Sequence, residues 1–220
     1  DKIKIIDLSA DFRLDSELLY KKDYNKSHTC PHLLNKFTYG LPEIYKQNII
    51  KNSNNIAVPG CYPTSILTPL IPLLSSALIK EKNIIIDSKS GYSGAGKKFD
   101  VTNIKSLNDL NFYNYSTNNH RHIGEIKQEL NKFSKNSVEL SFNPHILPSF
   151  RGMMSTIYCD INDNIKFKDI EKKLLDFSKQ SNFIKLIDSN EILDFFKIQH
   201  TNNCLIKLYK YQNDSKIIIV

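Results

Sequence analysis

Asn55-Ile56-Ala57-Val58-Pro59-Gly60-Cys61-Tyr62-Pro63-Thr64 is the stretch on which the fold turns. Its first four residues read as a short buried strand, and Pro59-Gly60 forces a turn. From Thr64 to Ile79 apolar residues then recur at helical spacing. A strand feeding a long helix through a tight turn is half of an α/β layer, and it sets Cys61 at the helix start. There, free backbone N–H groups and the positive end of the helix dipole favour thiolate over thiol. A lone cysteine is also commonly an inert packing residue, but an inert thiol has no need of a Gly-Cys turn at a helix N-terminus.

Upstream, Ile3 to Leu8 reads as a buried strand whose mouth carries Asp7-Leu8-Ser9-Ala10-Asp11-Phe12-Arg13, a good place for ligand-contacting groups. Asp15 to Lys36 is polar and irregular. Phe37 to Glu43 turns into a helix near Ile44–Lys51. Downstream, a strand at Ile84–Asp87 leads into the small-residue loop Ser90 to Lys98. An Asn/Tyr-rich stretch then ends in Asn118-Asn119-His120-Arg121-His122, ahead of a helix over Ile123–Phe133 with Glu125, Lys127 and Glu129 on its wet side. Strands over Ser137–Phe142 and Gly152–Cys159 flank a turn at Asn143–Pro148, and Phe167–Gln180 is an amphipathic helix. Further strands are expected at Phe183–Ile187, Asn203–Tyr209 and Lys216–Val220, so the second part reads as α+β, an antiparallel or mixed sheet with helices on one face.

At 220 residues and 40% apolar composition the chain suffices for one or two soluble domains. The longest apolar run, Ser65–Ile79, is broken by prolines and hydroxyls and falls short of the ~20 residues that span a bilayer. The net charge of +7 comes mostly from scattered lysine, and only three of thirty basic residues are Arg, which argues against a nucleic-acid groove. Arg13, Arg121 and Arg151 each fall in a separate motif, as expected of sites that grip small anions. Cys30, Cys61, Cys159 and Cys204 form no CxxC pair, so neither a disulfide framework nor a thiolate zinc cage is expected, and a reducing compartment fits. No secretory leader is read before Ile3, and both ends, one in mid-strand and one on a bare strand, read as cut.

Among candidate chemistry, Ser93-Gly94-Ala95-Gly96 lets backbone approach a ligand closely and offers successive N–H groups to an anion, or it is a plain glycine turn. It is not a GxGxxG fingerprint. His120-Arg121-His122 combines a general base with an anion clamp, or with Glu125 a metal site, although alternate His positions lack zincin spacing. His28-x-Cys30-x-His32 invites the same metal reading. His145 and Arg151 bracket a Pro-Pro loop that is site or mere turn chemistry. On residue chemistry alone, a thioester mechanism on an activated acid and a thiol hydrolase both remain open.

Six segments in order resemble the N-acetyl-γ-glutamyl-phosphate reductase family, arginine-pathway enzymes related to aspartate-semialdehyde dehydrogenase. They are Ile6 to Arg13, Tyr39-Gly40-Leu41-Pro42-Glu43, Pro59 to Thr64, Lys89 to Gly96, His120-Arg121-His122 with Glu125-Ile126, and Pro144-His145 to Pro148 with Arg151-Gly152. The resemblance implies NADP(H)-dependent reduction of an acyl phosphate to an aldehyde with release of inorganic phosphate. Cys61 would be the nucleophile and His122 or His120 the acid and base. Arg121, Arg151, Asn118, Arg13 and His145 would serve the substrate, Ser93, Gly94, Ala95 and Gly96 the cofactor, and no metal is called for. It further implies a cytoplasmic homo-oligomer with neither nucleic-acid nor membrane partner. A carrier-linked aminoadipyl phosphate of lysine synthesis is the related alternative substrate, and a non-catalytic binding or assembly fragment is the alternative of a different class. The fold expected is α/β plus α+β. Residues 1–60 would be the second half of an incomplete Rossmann-type cofactor domain, and 61–220 a mixed- or antiparallel-sheet catalytic and dimerisation domain. The family's Gly-rich opening and closing helix are not among these residues. Weak NADP binding by the 220-residue chain alone and exposed apolar surface are therefore expected.

Overall fold

The computed structural model describes residues 3–52, 55–98, 111–188, 190–211 and 215–220, and residues 99–110 of the Asn/Tyr-rich stretch lie outside it. The first 60 residues build a small parallel sheet. β1 (Ile5–Asp7) and β2 (Thr38–Tyr39) both pair with β3 (Asn55–Ala57) in the order β1-β3-β2. The expected burial of β1 is overturned: Ile5 is 46% and Ile6 66% exposed, because three short strands leave both faces of β1 open.

The segment read as irregular holds α1 (Glu17–Tyr24) and a 3-10 turn at Pro31–Lys36. Ser16 caps α1 by accepting from Leu19 N–H, and Asn25 ends it in the left-handed region. Tyr20 alone is buried along that helix, so hydrophobic periodicity had no stripe to show. α2 (Pro42–Asn52) follows, then α3 (Cys61–Ser75), on which the larger unit is built. α3 buries Ile66, Leu67, Leu70, Ile71, Leu73 and Leu74, and touches the helices and strands on every side of it.

The principal sheet has six strands in the order β10-β11-β7-β4-β6-β5: β4 Ile84–Ser90, β5 Tyr113–Asn114, β6 Leu140–Ile146, β7 Met153–Asp160, β10 Leu208–Lys210 and β11 Lys216–Ile219. α4 (His122–Asn131) and α5 (Phe167–Ser178) pack with α3 on its inner face, over Ile84, Ile86, Phe142, Ile157, Cys159 and Ile217. β8 (Ile184–Leu186) and β9 (Cys204–Ile206) form a separate parallel pair.

The sheet is mixed, as expected, but β6 and β7 are not a hairpin. β4 lies between them, parallel to β6 and antiparallel to β7. The expected turn at Asn143–Pro148 is overturned too, since β6 runs through Pro144 to Ile146. Proline argued against a strand there, yet the alternation of buried Phe142, Pro144 and Ile146 with outward Asn143 and His145 is that of a half-buried strand. The single strand expected over Asn203–Tyr209 is two, β9 and β10. Among the described residues no helix is long and apolar enough to cross a membrane.

Candidate active site

Strand β3 delivers the chain through Pro59-Gly60 into α3, with Gly60 as N-cap and Cys61 as the first helical residue. Gly60 has ordinary extended angles, φ −63° and ψ 157°, so its lack of a side chain answers to space. A Cβ there would stand 2.8 Å from His122 Nε2 and 3.0 Å from Pro63 Cδ. Its carbonyl accepts from Thr64 N–H and Thr64 Oγ1, both at 2.9 Å, and its N–H donates to Glu125 Oε1 at 2.9 Å. Gly60→Ala is therefore expected to cost about 1–3 kcal/mol through overpacking and to displace the His122 ring. A urea titration beside a turnover assay checks both, and an unchanged activity would show that the ring tolerates displacement.

Cys61 keeps solvent access, yet protein atoms crowd it closely enough that burial pushes its thiol above the ordinary value. The N–H groups of Tyr62 and Cys61 and the charge of Arg13 pull the other way, and Glu125 adds to the rise. The helix start acts in the direction expected from sequence. Desolvation outweighs it, so the resting group is a thiol, and the expectation of a standing thiolate is corrected.

Both histidines are neutral. His122 is 5% exposed, and burial, with His120 and the nearby arginines, lowers it to about 2. His120 falls to about 4, through burial first and Arg121 second. It stands edge-on to Tyr62, Tyr115, Phe142 and His122, with ring centroids 4.8–5.5 Å apart. His120 Nδ1 accepts from His122 N–H at 3.1 Å, which fixes its proton on Nε2 and makes the outer face of that ring a donor. Tyr115 OH donates to Tyr62 OH at 3.1 Å, alongside the same box.

Glu125 and Glu129, read from sequence as wet, are both 0% exposed. Each is matched by donors on other elements. Glu125 Oε1 accepts from Tyr39 OH at 2.7 Å as well as from Gly60 N–H, and its Oε2 lies 3.8 Å from Arg13. Glu129 accepts from Tyr45 OH at 2.5 Å and pairs with Lys132 at 2.8 Å. Burial still raises the Glu125 carboxyl above the usual range, opposed by Arg13, Gly60 N–H and Tyr39. Glu125, Tyr39 and Tyr45 are the site's supports that sequence reasoning missed. The available signal was that His122 and Glu125 are three apart, hence on one helix face.

The remaining expected residues divide. Arg151, Ser93 and Gly94 line a cavity of about 810 Å³ together with Cys61, Ser90 and the segment Gln199–Asn203, which sequence reading passed over. Ala95 and Gly96 continue the same 3-10 turn, Tyr92–Lys98. The proposed anion nest is corrected in part, because Ser93 N–H donates to Phe150 O and Gly94 N–H to Gly91 O. Arg13 turns its donors to protein, Nε to Val58 O at 2.7 Å and a terminal nitrogen to Leu8 O at 3.0 Å, and so braces the turn. Arg121 lies over the Tyr24 ring, 5.7 Å from its centroid.

Asn118 pairs both ways with the backbone of Phe142, closing the loop onto β6. His145 faces outward on β6, with Nδ1 3.2 Å from Asp87 Oδ1 and its ring on Phe112. Strand alternation thus carries it to the sheet face opposite α3 and away from Cys61. His28 uses both ring nitrogens on backbone, at Asp11 O and Cys30 N–H, which removes the metal reading of that motif. A second cavity of about 360 Å³, mostly apolar, runs from Cys61 past Met153, Phe195 and Val220.

A thiol at a helix start, an arginine lining the same open cavity, and two neutral imidazoles, one of them packed against Gly60, are groups that can perform acyl transfer on an anionic substrate. Comparison with known proteins gives the chain's family. Residues 61–220 match the family model described as semialdehyde dehydrogenase, dimerisation domain. The chain is 41% identical over 215 residues to the N-acetyl-gamma-glutamyl-phosphate reductase of Clostridium botulinum (strain Alaska E43 / Type E3), covering 98% of this chain and 62% of that one. It is 41% identical to the protein of that name from Ehrlichia chaffeensis, covering 100% and 63%. The probable chloroplastic enzyme of Arabidopsis thaliana is 37% identical, covering 99% and 54%. The chain thus spans less than two thirds of the length of these relatives. In fold it is similar to aspartate semialdehyde dehydrogenase II from Vibrio cholerae, with TM-score 0.69 at 18% identity over 97% of this chain and 65% of that one.

Proposed function

The chain belongs to the semialdehyde dehydrogenase family, and on that premise we propose that it forms the catalytic part of an NADPH-dependent N-acetyl-γ-glutamyl-phosphate reductase of arginine synthesis. The observation that carries this reading is Cys61 at the first position of α3, open to the Arg151 cavity, with His122 packed against the Gly60 that precedes it. The Cys61 sulfur attacks the acyl carbon of the substrate; the bond from that carbon to the phosphate oxygen breaks, inorganic phosphate leaves, and a thioester remains on Sγ. NADPH, when bound, supplies the hydride that takes this thioester to the aldehyde level.

Proton handling falls to the chain. His122 takes the thiol proton at the nitrogen beside Gly60, which its neutral state allows. His120, with its proton on Nε2, hydrogen-bonds to the carbonyl oxygen as negative charge gathers there. Arg151 takes the substrate's phosphate or carboxylate.

The residues present suit a nicotinamide. Ser93 and Gly94 line the cavity that Cys61 opens into, and with Ala95 and Gly96 would hold that end of the cofactor; the space beside the Gly94 Cα is filled by Ser90, whose Oγ would stand 2.5 Å from a Cβ there. The parallel β1-β3-β2 sheet is the second half of a Rossmann-type layer in this reading, with the catalytic and dimerisation unit beginning at Cys61. A homo-oligomer is the expected assembly of a dimerisation domain, and a second copy would cover the outer sheet face, where Ile85, Tyr158 and Tyr209 stay exposed. The cytoplasm is its expected location.

The test is NADPH formation by the full-length polypeptide from N-acetylglutamate semialdehyde, NADP and phosphate, beside His122→Asn. Phosphate-dependent turnover that falls about 10²–10⁴-fold in the variant supports the reading. A folded protein silent here but active on a carrier-linked aminoadipyl semialdehyde would move the substrate to lysine synthesis.

A further inference from the structure

Four buried side-chain polar atoms lack a hydrogen-bond partner among the described residues: Asp23 Oδ2, Tyr24 OH, His122 Nδ1 and Glu125 Oε2. They come from two places only, the last turn of α1 and the first turn of α4. These helices meet at Gly124, where a Cβ would overlap Asp23 Oδ2 and stand 3.0 Å from Leu19 Cδ1. Asp23 accepts the Gly124 N–H there, and Arg121 covers the Tyr24 ring. On α4, Arg121 and Glu125 share one stripe, with His122 on one flank of it and Gly124 on the other. The end of α1 thus faces the first turn of α4, which carries His122 and Glu125, and Tyr24 lies close enough to Glu125, Asp23 and Arg121 to feel their charges.

Their chemistry is complementary. If His122 accepts a proton at Nε2, its Nδ1 carries hydrogen, so Nδ1 and the Tyr24 hydroxyl are donors, and the two carboxylate oxygens are acceptors. Buried polar groups are almost always satisfied, and two donors with two acceptors where α1 meets α4 suit ordered internal water, which needs two to four polar partners.

We propose that Tyr24 and Asp23 form the outer end of a buried proton path that drains His122, with an internal water joining them to Glu125. This rests on the reading of His122 as the base. The proton leaving the Cys61 sulfur binds His122 Nε2. The Nδ1 proton passes to the Glu125 and Tyr24 oxygens by hydrogen-bond exchange and ends on the half-buried Asp23 carboxylate at the rim of α1. No electron moves, and the imidazole returns neutral for the next step. Burial raises Asp23 above the usual carboxylate range and Tyr24 to about 12, which suits Asp23 as a proton holder and keeps the tyrosine a hydroxyl.

Tyr24→Phe keeps the ring under Arg121 and removes only the hydroxyl, and Asp23→Asn keeps an acceptor for Gly124 N–H. In the full-length polypeptide each is expected to lower kcat about tenfold, well short of losing the acid–base group itself, with KM unchanged and a larger solvent deuterium isotope effect on kcat. Unchanged kcat and isotope effect in both folded variants, or a change confined to KM, overturns the path. If the path alone is wrong, His122→Asn stays crippled while these two run at full speed. If the base assignment is wrong, His122→Asn itself stays active.

Discussion

Cys61→Ser is expected to reduce turnover by about 10⁴–10⁶-fold, the scale seen when a covalent nucleophile is removed from its catalytic unit. The loss should fall on kcat, because the substitution changes one atom at a position where backbone, cap and helix are held by other residues. Thr64 and Glu125 grip Gly60 on both sides whatever stands at 61. Serine there keeps the geometry but offers a hydroxyl, which ionises far less readily than a thiol and is the weaker nucleophile near neutral pH. The resting thiol has its own signature. Burial holds it above the ordinary thiol value, so alkylation of the substrate-free protein should rise about tenfold per pH unit through neutrality, following the thiolate fraction. A plateau below pH ~8 would show a thiolate already formed, and would mean that the helix start and Arg13 outweigh desolvation after all.

The parts of this site that depend on chain direction were legible in the sequence. A strand, a Pro-Gly turn and a long apolar helix can be joined in few ways, so Cys61 at the first turn of α3 followed from the residues themselves. The amphipathic α5 was equally plain, its buried Ile170 and Leu174 four apart. What could not be read was which face a polar side chain takes once distant elements meet. Glu125 and Glu129 look like solvated helix residues until Tyr39, Tyr45 and Arg13 arrive from sequence positions some 80 to 115 away to satisfy them. His145 shows the opposite error. Its neighbours Pro144 and Pro148 suggested a loop, and only the pairing of β6 with β4 reveals the alternation that turns the imidazole outward. Asn118 likewise reads as a ligand contact when alone and as a clasp once Phe142 is beside it.

Glu125→Ala should be the most damaging substitution for stability, at about 3–5 kcal/mol, the range for breaking a buried ion pair by removing one partner. Three losses coincide. The Gly60 N–H at the head of α3 and the Tyr39 hydroxyl lose their acceptor, and Arg13, its side chain nearly buried, loses its counter-charge. Glu125→Gln keeps one acceptor oxygen and should cost less, and the native protein and Glu125→Gln respond differently to pH. Because burial raises the folded-state carboxyl, the native protein binds a proton there more readily than the unfolded chain. The Glu125 contribution is thus fully present below the unfolded value of about 4.3 and is lost as pH climbs through the folded one. Glutamine does not titrate, so urea midpoints should show the native protein gaining on Glu125→Gln as pH falls from neutrality toward that value. A gap that widens in the opposite direction would mean that Arg13 and the two donors hold the carboxylate ionised more strongly than its burial opposes. Glu125 would then sit beneath Cys61 as a standing negative charge, and its first effect would be to hold the thiol protonated until substrate arrives.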